Sequence, residues 1–203
     1  MFSRNFQIEL NKIMKINKTT IDGFLIIEPD IYEDNRGFFL ETFQEQNYKD
    51  FGIRDHFVQD NQSRSSKGVL RGMHFQLKHP QAQIVTVMRG SIFDVGVDLR
   101  PHSESFGRWH GVELSDFGQR QIYMAPGIAH GFFVLSDLAD LHYKVSRFYN
   151  PKDERGLIWN DSQVNISWPK ASHSISERDV TYPSLSELIE NNQLPNSSTL
   201  KYK

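Results

Sequence analysis

Short segments in which apolar and polar residues alternate at every second position follow one another along the chain, and this pattern predicts β-strands. In the clearest segment four apolar residues alternate with two aspartates and a glycine: Phe93, Val95, Val97 and Leu99 against Asp94, Gly96 and Asp98. About ten such segments are separated by turn residues, and little of the chain has a helical period. The pattern predicts an all-β fold, either a jelly-roll barrel or a β-sandwich.

Two segments have the pattern of short peripheral helices. Residues 45–51 fit one or two helical turns before Gly52, and residues 184–191 start with Ser184 and Glu187 in the spacing of a capping box. The other regular segments are predicted strands: residues 24–29, 57–63, 69–76, 83–89, 91–99, 109–114, 121–124, 127–132 and 141–149, with a turn at 34–37 before a further aromatic strand. The helices therefore add little to a framework made of strands.

Two histidines lie on predicted strands. His74 is in V-L-R-G-M-H-F-Q, residues 69–76, and His130 is in G-I-A-H-G-F, residues 127–132. Strict alternation predicts two faces for the first strand: Leu70, Gly72, His74 and Gln76 on one side, and Arg71, Met73 and Phe75 on the other. Taken alone, a histidine on a strand is more often a hydrogen-bonded polar residue than a base, so both roles stay open at this point.

Length, charge and cysteine content narrow the function classes. The 203 residues fit one domain at residues 16–190, with an extension at 1–15 and a polar tail at 191–203; Met1 and Met14 both fit as the start. A formal charge of −2 without a basic block argues against nucleic acid or a membrane as partner and favours a small anionic ligand. Because the sequence has no cysteine, no transmembrane run and no signal pattern, we expect a cytoplasmic protein.

Seven sequence blocks occur in an order that resembles one enzyme family. They are D-N-R-G-F-F-L-E-T, F-V-Q-D-N-Q-S, V-L-R-G-M-H-F-Q, F-D-V-G-V-D-L-R, P-G-I-A-H-G-F, Y-K-V-S-R-F-Y-N-P and W-N-D with the later I-S-W-P and S-E-R-D. Together they resemble the dTDP-4-dehydrorhamnose 3,5-epimerases of dTDP-L-rhamnose synthesis over roughly residues 16–185. The resemblance implies a cupin-type jelly-roll barrel, a nucleotide-diphosphate sugar as substrate and no metal or other cofactor. It also implies a homodimer in which an N-terminal strand helps to build the partner's sheet.

The resemblance also implies the site residues, position by position. His74 matches the catalytic base, Asp179 in S-E-R-D its carboxylate partner, and Tyr143 in L-H-Y-K the acid on the opposite face of the sugar. Eight further residues match positions that contact the nucleotide or the sugar: Arg36, Phe39, Glu41, Gln59, Asn61, Arg71, His130 and Tyr149. The chain departs from the family at Gln83, where the family usually has a lysine, and we expect Gln83 to face the substrate ketone.

The implied reaction is epimerisation at C3, C5 or both of dTDP-4-dehydro-6-deoxy-D-glucose, which leads to dTDP-4-dehydro-L-rhamnose. Inverting a carbon beside a ketone requires a base for its proton, stabilisation of the enolate and an acid on the other face. Histidine has a near-neutral pKa, and a carboxylate on its far nitrogen fixes the tautomer. The enolate oxygen needs donors held in place beforehand, and there a glutamine offers less than a lysine.

Three alternatives differ from this interpretation. Gln83 leaves open an epimerase that inverts one carbon of a dTDP-, CDP- or GDP-linked 4-keto sugar, and also a non-catalytic cupin that binds nucleotide sugars. A metal-dependent cupin is a third class, and such sites typically include an H-x-H pair. The sequence has Gln76 two positions after His74 and no H-x-H anywhere, so we expect a metal-independent protein.

Overall fold

The computed structural model describes residues 14–195 of the chain. This part contains thirteen strands and two short helices. The strands are β1 Met14–Lys18, β2 Phe24–Pro29, β3 Ile31–Asp34, β4 Gly37–Leu40, β5 Gln59–Ser66, β6 Leu70–Gln76, β7 Gln83–Arg89, β8 Ser91–Asp98, β9 Trp109–Ser115, β10 Gln121–Met124, β11 Ile128–Val134, β12 Leu138–Val145 and β13 Glu154–Gly156. The helices are α1 Glu45–Asp50 and α2 Leu185–Glu190, and a 3₁₀ turn covers Asp179–Thr181. Most of the predicted extension (residues 1–13) and most of the predicted tail (196–203) lie outside the described residues.

Two antiparallel sheets form a jelly-roll sandwich. The six-stranded sheet has the order β1-β2-β10-β7-β12-β5, and the five-stranded sheet has the order β13-β6-β11-β8-β9. Strands β3 and β4 pair only with each other as a separate hairpin. The prediction of an all-β, cupin-type jelly roll is confirmed. The helices within residues 14–195 are too short and too polar to cross a bilayer.

Two apolar cores cover the two faces of the five-stranded sheet. The larger core lies between the sheets and contains Phe24, Ile92 and Val134. The second core contains Val95 and Val97 of β8 and packs them against residues near the C-terminus, among them Leu157, Val164, Leu185 and Leu188. Because β8 alternates strictly, its two aspartates point away from the second core and are buried on the sandwich side.

The predicted helices are confirmed, whereas one strand ends earlier than its pattern suggested. Ser184 and Glu187 form both hydrogen bonds of the capping box at α2, as their spacing predicted. Strand β12 ends at Val145 rather than at Tyr149, because its neighbours begin there: Val145 pairs with Gln83 of β7 and with Gln59 of β5, the first residue of each strand. Tyr149 therefore lies after a turn, outside the ladder.

A β-bulge in β6 gives the first histidine strand faces that differ from those predicted. His130 of β11 pairs with His74, and Phe132 pairs with Arg71, so two steps along β11 correspond to three along β6. The extra residue shifts the alternation, and Arg71 comes to lie on the same side as His74, towards a cavity that both side chains line. The prediction that Arg71 faces away from His74 is wrong. Gly72, at the bulge, has a φ of +120°.

Candidate active site

A cavity of about 320 Å³ lies inside the sandwich, between β5, β6, β7, β11 and β12. Eight of the residues singled out from the sequence line it: Gln59, Asn61, Arg71, His74, Gln83, His130, Tyr143 and Tyr149. Strands of both sheets supply all of these side chains except that of Tyr149, which follows β12, so the fold brings together positions that lie up to ninety residues apart in the chain. The volume is at the lower end of the range of small-molecule sites.

His74 is bound to the buried carboxylate of Asp179. The distance from its Nε2 to Asp179 Oδ1 is 3.0 Å, and the backbone N–H of Gly72 donates to the other oxygen, Oδ2, at 3.2 Å. The ring of Tyr182 stands nearly perpendicular to the imidazole at 5.7 Å and confines it from the side. With Nε2–H donating to the carboxylate, the lone pair of the imidazole lies on Nδ1.

The carboxyl group of Asp179 is held in its ionised form. Burial raises its pKa, but the hydrogen bond and charge of His74 and the N–H of Gly72 outweigh burial and lower the pKa from 3.8 to about 2. An ionised Asp179 fixes the His74 tautomer and stabilises its protonated form, which is what a histidine needs to act as a base.

This low pKa predicts a dependence of stability on pH. Because the folded pKa lies below the unfolded one, Asp179 contributes stability above about pH 4, and that contribution is lost as the pH falls towards 2. We expect the difference in free energy of unfolding between the parent and Asp179→Asn to shrink by about 2 kcal/mol between about pH 6 and pH 2. Urea unfolding of both proteins at both pH values measures this difference. A difference that stays constant would contradict a lowered pKa of Asp179 in the folded protein.

His130 lies directly opposite His74 across the β6–β11 pair and has its own carboxylate partner. Its Nε2 is 2.9 Å and 3.1 Å from the two oxygens of Asp94, which is fully buried in β8. Burial raises the pKa of Asp94, and the charge and hydrogen bond of His130 oppose this. His74 and His130, on neighbouring strands, are thus each paired with a carboxylate.

Tyr143 reaches the cavity from β12, on the opposite sheet from His74. Burial raises the pKa of its hydroxyl, Arg71 lowers it, and Glu154 raises it further, with a net increase. The phenol is therefore protonated at neutral pH and can donate a proton. His74 and Tyr143 reach the cavity from different sheets. This arrangement suits a reaction in which a proton leaves one face of a carbon and another arrives at the opposite face.

Hydrogen bonds connect several of the remaining predicted residues along the cavity wall. Arg71 Nε donates to Ser65 Oγ at 3.0 Å, and Gln59 Nε2 donates to Asn61 Oδ1 at 2.8 Å. Gln59 also accepts the backbone N–H of Tyr149 at 3.1 Å, which fixes the segment after β12 next to the cavity. These contacts leave the guanidinium of Arg71 as a cation at the cavity wall.

Three cavity residues have a buried polar atom without a hydrogen-bond partner among the described residues. They are Ser63 Oγ, Gln76 Oε1 and Gln83 Oε1, from β5, β6 and β7. Buried polar atoms are normally paired, so each of these unpaired atoms is unfavourable in this conformation of the cavity wall. Gln83 lies in the cavity wall, as its strand register predicted.

Arg36, Phe39 and Glu41 do not line the cavity of their own chain, as far as the described residues show. Arg36 and Phe39 belong to the β3–β4 hairpin; the Arg36 side chain is 85% exposed and pairs with Asp34, and Phe39 is 70% exposed. Glu41 accepts a hydrogen bond from the Asn47 amide at 2.7 Å. Within one chain these residues are thus separate from the other candidates.

Three ionisable residues at or next to the cavity were missed by sequence reasoning. Asp94 partners His130, while Glu154 and Arg178 line the cavity beside Tyr149. Alternation with apolar residues on β8 gave no signal for Asp94, because such a position usually faces solvent, whereas the structure buries it. The described residues contain no group of three or more His, Cys, Asp or Glu that could hold a metal ion.

Comparison with known proteins identifies the family. The family model described as dTDP-4-dehydrorhamnose 3,5-epimerase matches residues 18–187. An enzyme of that name from Methanothermobacter thermautotrophicus is 46% identical over 173 residues, 84% of this chain and 94% of its own.

Two solved structures are similar to the fold described here. A dTDP-6-deoxy-D-glucose-3,5-epimerase from Legionella pneumophila, solved with dTDP-4-keto-L-rhamnose, has a TM-score of 0.86 and 46% identity, and the match covers 90% of this chain and 98% of that one. A 3′-monoepimerase from Streptomyces bikiniensis, solved with dTDP-quinovose, has a TM-score of 0.83 and 32% identity over 89% and 92% of the two chains. The chain belongs to the dTDP-4-dehydrorhamnose 3,5-epimerase family.

Proposed function

We propose that this protein is an isomerase that epimerises dTDP-4-dehydro-6-deoxy-D-glucose at C5 and C3 to give dTDP-4-dehydro-L-rhamnose. Family membership supports the reaction class, and the Legionella relative was solved with the product of this reaction. The observation that carries the proposal within this chain is the His74–Asp179 pair at a cavity that Tyr143 enters from the opposite sheet.

The chemistry follows from these three groups. His74 takes the proton from the carbon beside the ketone, and the electron pair moves into an enolate with its charge on the C4 oxygen. Asp179 stabilises the imidazolium that results. Tyr143 donates its proton to the other face of the same carbon, so the configuration is inverted, and both groups return to their starting states by exchange with solvent. His130, Arg71 and Gln83 are the polar groups of the wall that can face the enolate.

Product analysis tests this proposal. The purified protein is incubated with dTDP-4-dehydro-6-deoxy-D-glucose, and the configuration at C3 and C5 is read from proton coupling constants in NMR. Inversion at both carbons is the expected result. A sugar that binds and is recovered unchanged would overturn the catalytic proposal and leave a nucleotide-sugar binding protein.

An epimerase that inverts a single carbon is the second candidate. It is favoured by Gln83, which offers a neutral amide to the cavity, and by the structural similarity to a 3′-monoepimerase. In the product analysis this candidate predicts inversion at C3 or C5 with the other carbon unchanged.

Gln83→Lys is predicted to speed deprotonation. An ammonium in this position forms charge-assisted hydrogen bonds, which are about twice as strong as neutral ones, to the oxygen on which the enolate charge develops. We expect the rate of solvent exchange at the sugar to rise about tenfold, and to fall in Gln83→Met, which keeps the length without the amide. Loss of exchange in Gln83→Lys with nucleotide binding intact would show that the glutamine is adapted to another substrate.

A homodimer belongs to the same proposal and is supported by the β3–β4 hairpin. The hairpin exposes three large aromatic side chains, Tyr32, Phe38 and Phe39, outside both main sheets. If Arg36, Phe39 and Glu41 contact substrate, as the resemblance implies, they do so in the cavity of a second copy. The expected cytoplasmic location and the N-terminal strand that enters the partner's sheet stay predictions.

The dimer predicts a mass near twice 23.6 kDa by light scattering at micromolar concentration. Replacing Phe38 and Phe39 together with serine removes apolar surface that the interface would bury, and should shift the mass towards the monomer. A parent protein that is monomeric at this concentration would contradict the proposal.

A further inference from the structure

His173 packs against two aromatic rings outside the cavity, and we call the three residues Phe133, Trp159 and His173 the aromatic clamp. The imidazole centroid lies 5.0 Å from that of the Phe133 ring, at an interplanar angle of 73°, and 5.0 Å from that of the Trp159 ring, at 49°. Contacts of this geometry between aromatic rings are favourable beyond the area that they bury. None of the three residues lines the cavity, so the aromatic clamp has no direct contact with a molecule bound there.

The ring of His173, rather than a hydrogen bond of its Nε2, holds this residue in place. The Nε2 atom is buried and has no hydrogen-bond partner among the described residues. A buried nitrogen without a partner is unfavourable, so it does not contribute to holding the side chain. The contacts of the ring with Phe133 and Trp159 are therefore the interactions that fix His173.

Both partner rings are fixed relative to β6, the strand that carries His74. Phe133 lies on β11, which is next to β6 in the sheet, and is 2% exposed. Leu157, two residues before Trp159, exchanges two backbone hydrogen bonds with Met73 of β6, at 3.0 and 3.3 Å. The aromatic clamp therefore connects its histidine to the framework of the candidate base.

A short segment, residues 172–176, lies between the aromatic clamp and Asp179, and we call it the strap. Ser174 of the strap forms two backbone hydrogen bonds with the chain at the start of β6, at 2.7 and 2.9 Å. The hydroxyl of Ser176 then accepts the backbone N–H of Asp179 at 3.1 Å. The strap thus connects the clamped residue to the carboxylate that is paired with His74.

We propose that His173 is a positioning residue for the reaction: its ring fixes the strap, and the strap holds Asp179 at hydrogen-bonding distance from His74. The catalytic role of the His74–Asp179 pair rests on the proposed function, whereas the connection from His173 to that pair requires only the geometry. A group that orients a base has to be held by supporting contacts to within about 0.5 Å. Without the ring, the strap loses its packed side chain, and Asp179 spends less time in contact with His74.

NMR of the protein labelled with ¹⁵N-histidine measures this connection without substrate. At about pH 8.5, well above the usual range of histidine pKa values, the parent should show His74 as one tautomer with its hydrogen on Nε2. His173→Ala should show a mixture of both tautomers at His74, the pattern expected of Asp179→Ala, which lacks the acceptor. His173→Leu keeps apolar volume without the ring contacts, should show the same mixture, and replaces His173→Ala if that variant does not fold.

His173→Phe is the matched variant that retains the clamp. It keeps an aromatic ring and removes the unpaired nitrogen, so the His74 signals should remain parental and the urea midpoint should not fall below that of the parent. His102→Ala is the second control, since His102 is exposed and belongs neither to the aromatic clamp nor to the cavity. It should leave the His74 signals unchanged.

Solvent exchange at the substrate measures the consequence for the reaction. His173→Ala should lower the exchange rate by about 10–100-fold, because a small misplacement of Asp179 misorients the base. Its affinity for dTDP should be unchanged, since the aromatic clamp lies outside the cavity. His173→Phe and His102→Ala should exchange at the parental rate.

A double-mutant cycle tests whether the effect passes through the strap. Ser176→Ala removes the hydrogen bond from the strap to Asp179 and leaves the aromatic clamp in place, and it should also mix the His74 tautomers. If both residues act along one route, His173→Ala should slow Ser176→Ala by less than about twofold. Rate losses that multiply in the double variant would show two separate effects and contradict the route.

Two further outcomes would overturn the inference. A single parental His74 tautomer in folded His173→Ala or His173→Leu would show that the aromatic clamp only stabilises the fold, and mixed tautomers in His173→Phe would show that the ring is not what positions Asp179. If the parent does not epimerise but His74 responds as expected, the proposed function fails and the positioning role stands. If epimerisation proceeds and His74 does not respond, only the positioning role is lost.

Discussion

His74→Ala is expected to lower the rate of solvent exchange at C3 and C5 of the sugar by about 10²–10⁴-fold. The reason is geometric: His74 is the histidine of the cavity wall whose Nε2 is oriented by Asp179, with Asp179 itself held ionised by a pKa of about 2. Binding of the nucleotide should be largely preserved, since the imidazole is one of many polar groups in the wall. Exchange is followed by NMR in deuterated water, and affinity by calorimetry with dTDP.

His142→Ala is the control for this prediction. His142 lies on β12 next to Tyr143 but points the other way, with its Nε2 3.7 Å from Asp60, and it does not line the cavity. This variant should exchange the sugar hydrogens at the parental rate. A His74→Ala variant that retains the parental rate, or a His142→Ala variant that loses it, would contradict the assignment of the base.

Gly72→Ala is expected to destabilise the fold by about 3–5 kcal/mol, the sum of backbone strain and overpacking. The glycine has a φ of +120°, which side chains rarely adopt, and an added Cβ would lie 2.5 Å from Gly131 Cα and 2.8 Å from the His130 carbonyl oxygen. These neighbours are backbone atoms of β11 and cannot rotate away. Relief would require β6 and β11 to separate where they carry His74 and His130, so the remaining folded protein should also exchange substrate hydrogens slowly.

Gly52→Ala separates strain from overpacking. Gly52 also has a positive φ, +94°, but an added Cβ there meets no atom within 4 Å. We expect a cost of about 1–2 kcal/mol, which is that of the left-handed conformation alone. Urea unfolding of the two variants measures both values. A Gly72→Ala variant no less stable than Gly52→Ala would show that the two strands adapt freely at the bulge.

Most of the fold could be predicted from the sequence, because the local sequence patterns agree with the packing. The period of two in β8 corresponds to two buried faces, one packed on the second core and one turned into the sandwich. The capping box of Ser184 and Glu187 is formed as its spacing predicted. Register was harder to predict: Gly72 inside V-L-R-G-M-H-F-Q is a residue typical of bulges, but only the pairing with β11 shows the extra residue and moves Arg71 to the side of His74.

The candidate site could be predicted where single residues match the family, but not where the site depends on contacts between distant segments. Glu154 and Arg178 look like ordinary surface charges in the sequence and are brought to Tyr149 only by the turn after β12. The position of the β3–β4 hairpin was equally hard to predict, since its aromatic residues fit an ordinary strand, whereas the structure exposes them. Exposure of Phe38 and Phe39 reflects tertiary arrangement, which local alternation does not encode.

Abstraction and return of protons at the carbons beside the C4 ketone is the reaction we propose for this protein, and hydrogen exchange measures that reaction itself. The parent protein is incubated in deuterated water with dTDP-4-dehydro-6-deoxy-D-glucose, and deuterium at each ring position is followed by NMR. We expect incorporation at C3 and C5, dependent on His74, with no incorporation at C1 or C2. A sugar that binds but gains no deuterium at either C3 or C5 would contradict it.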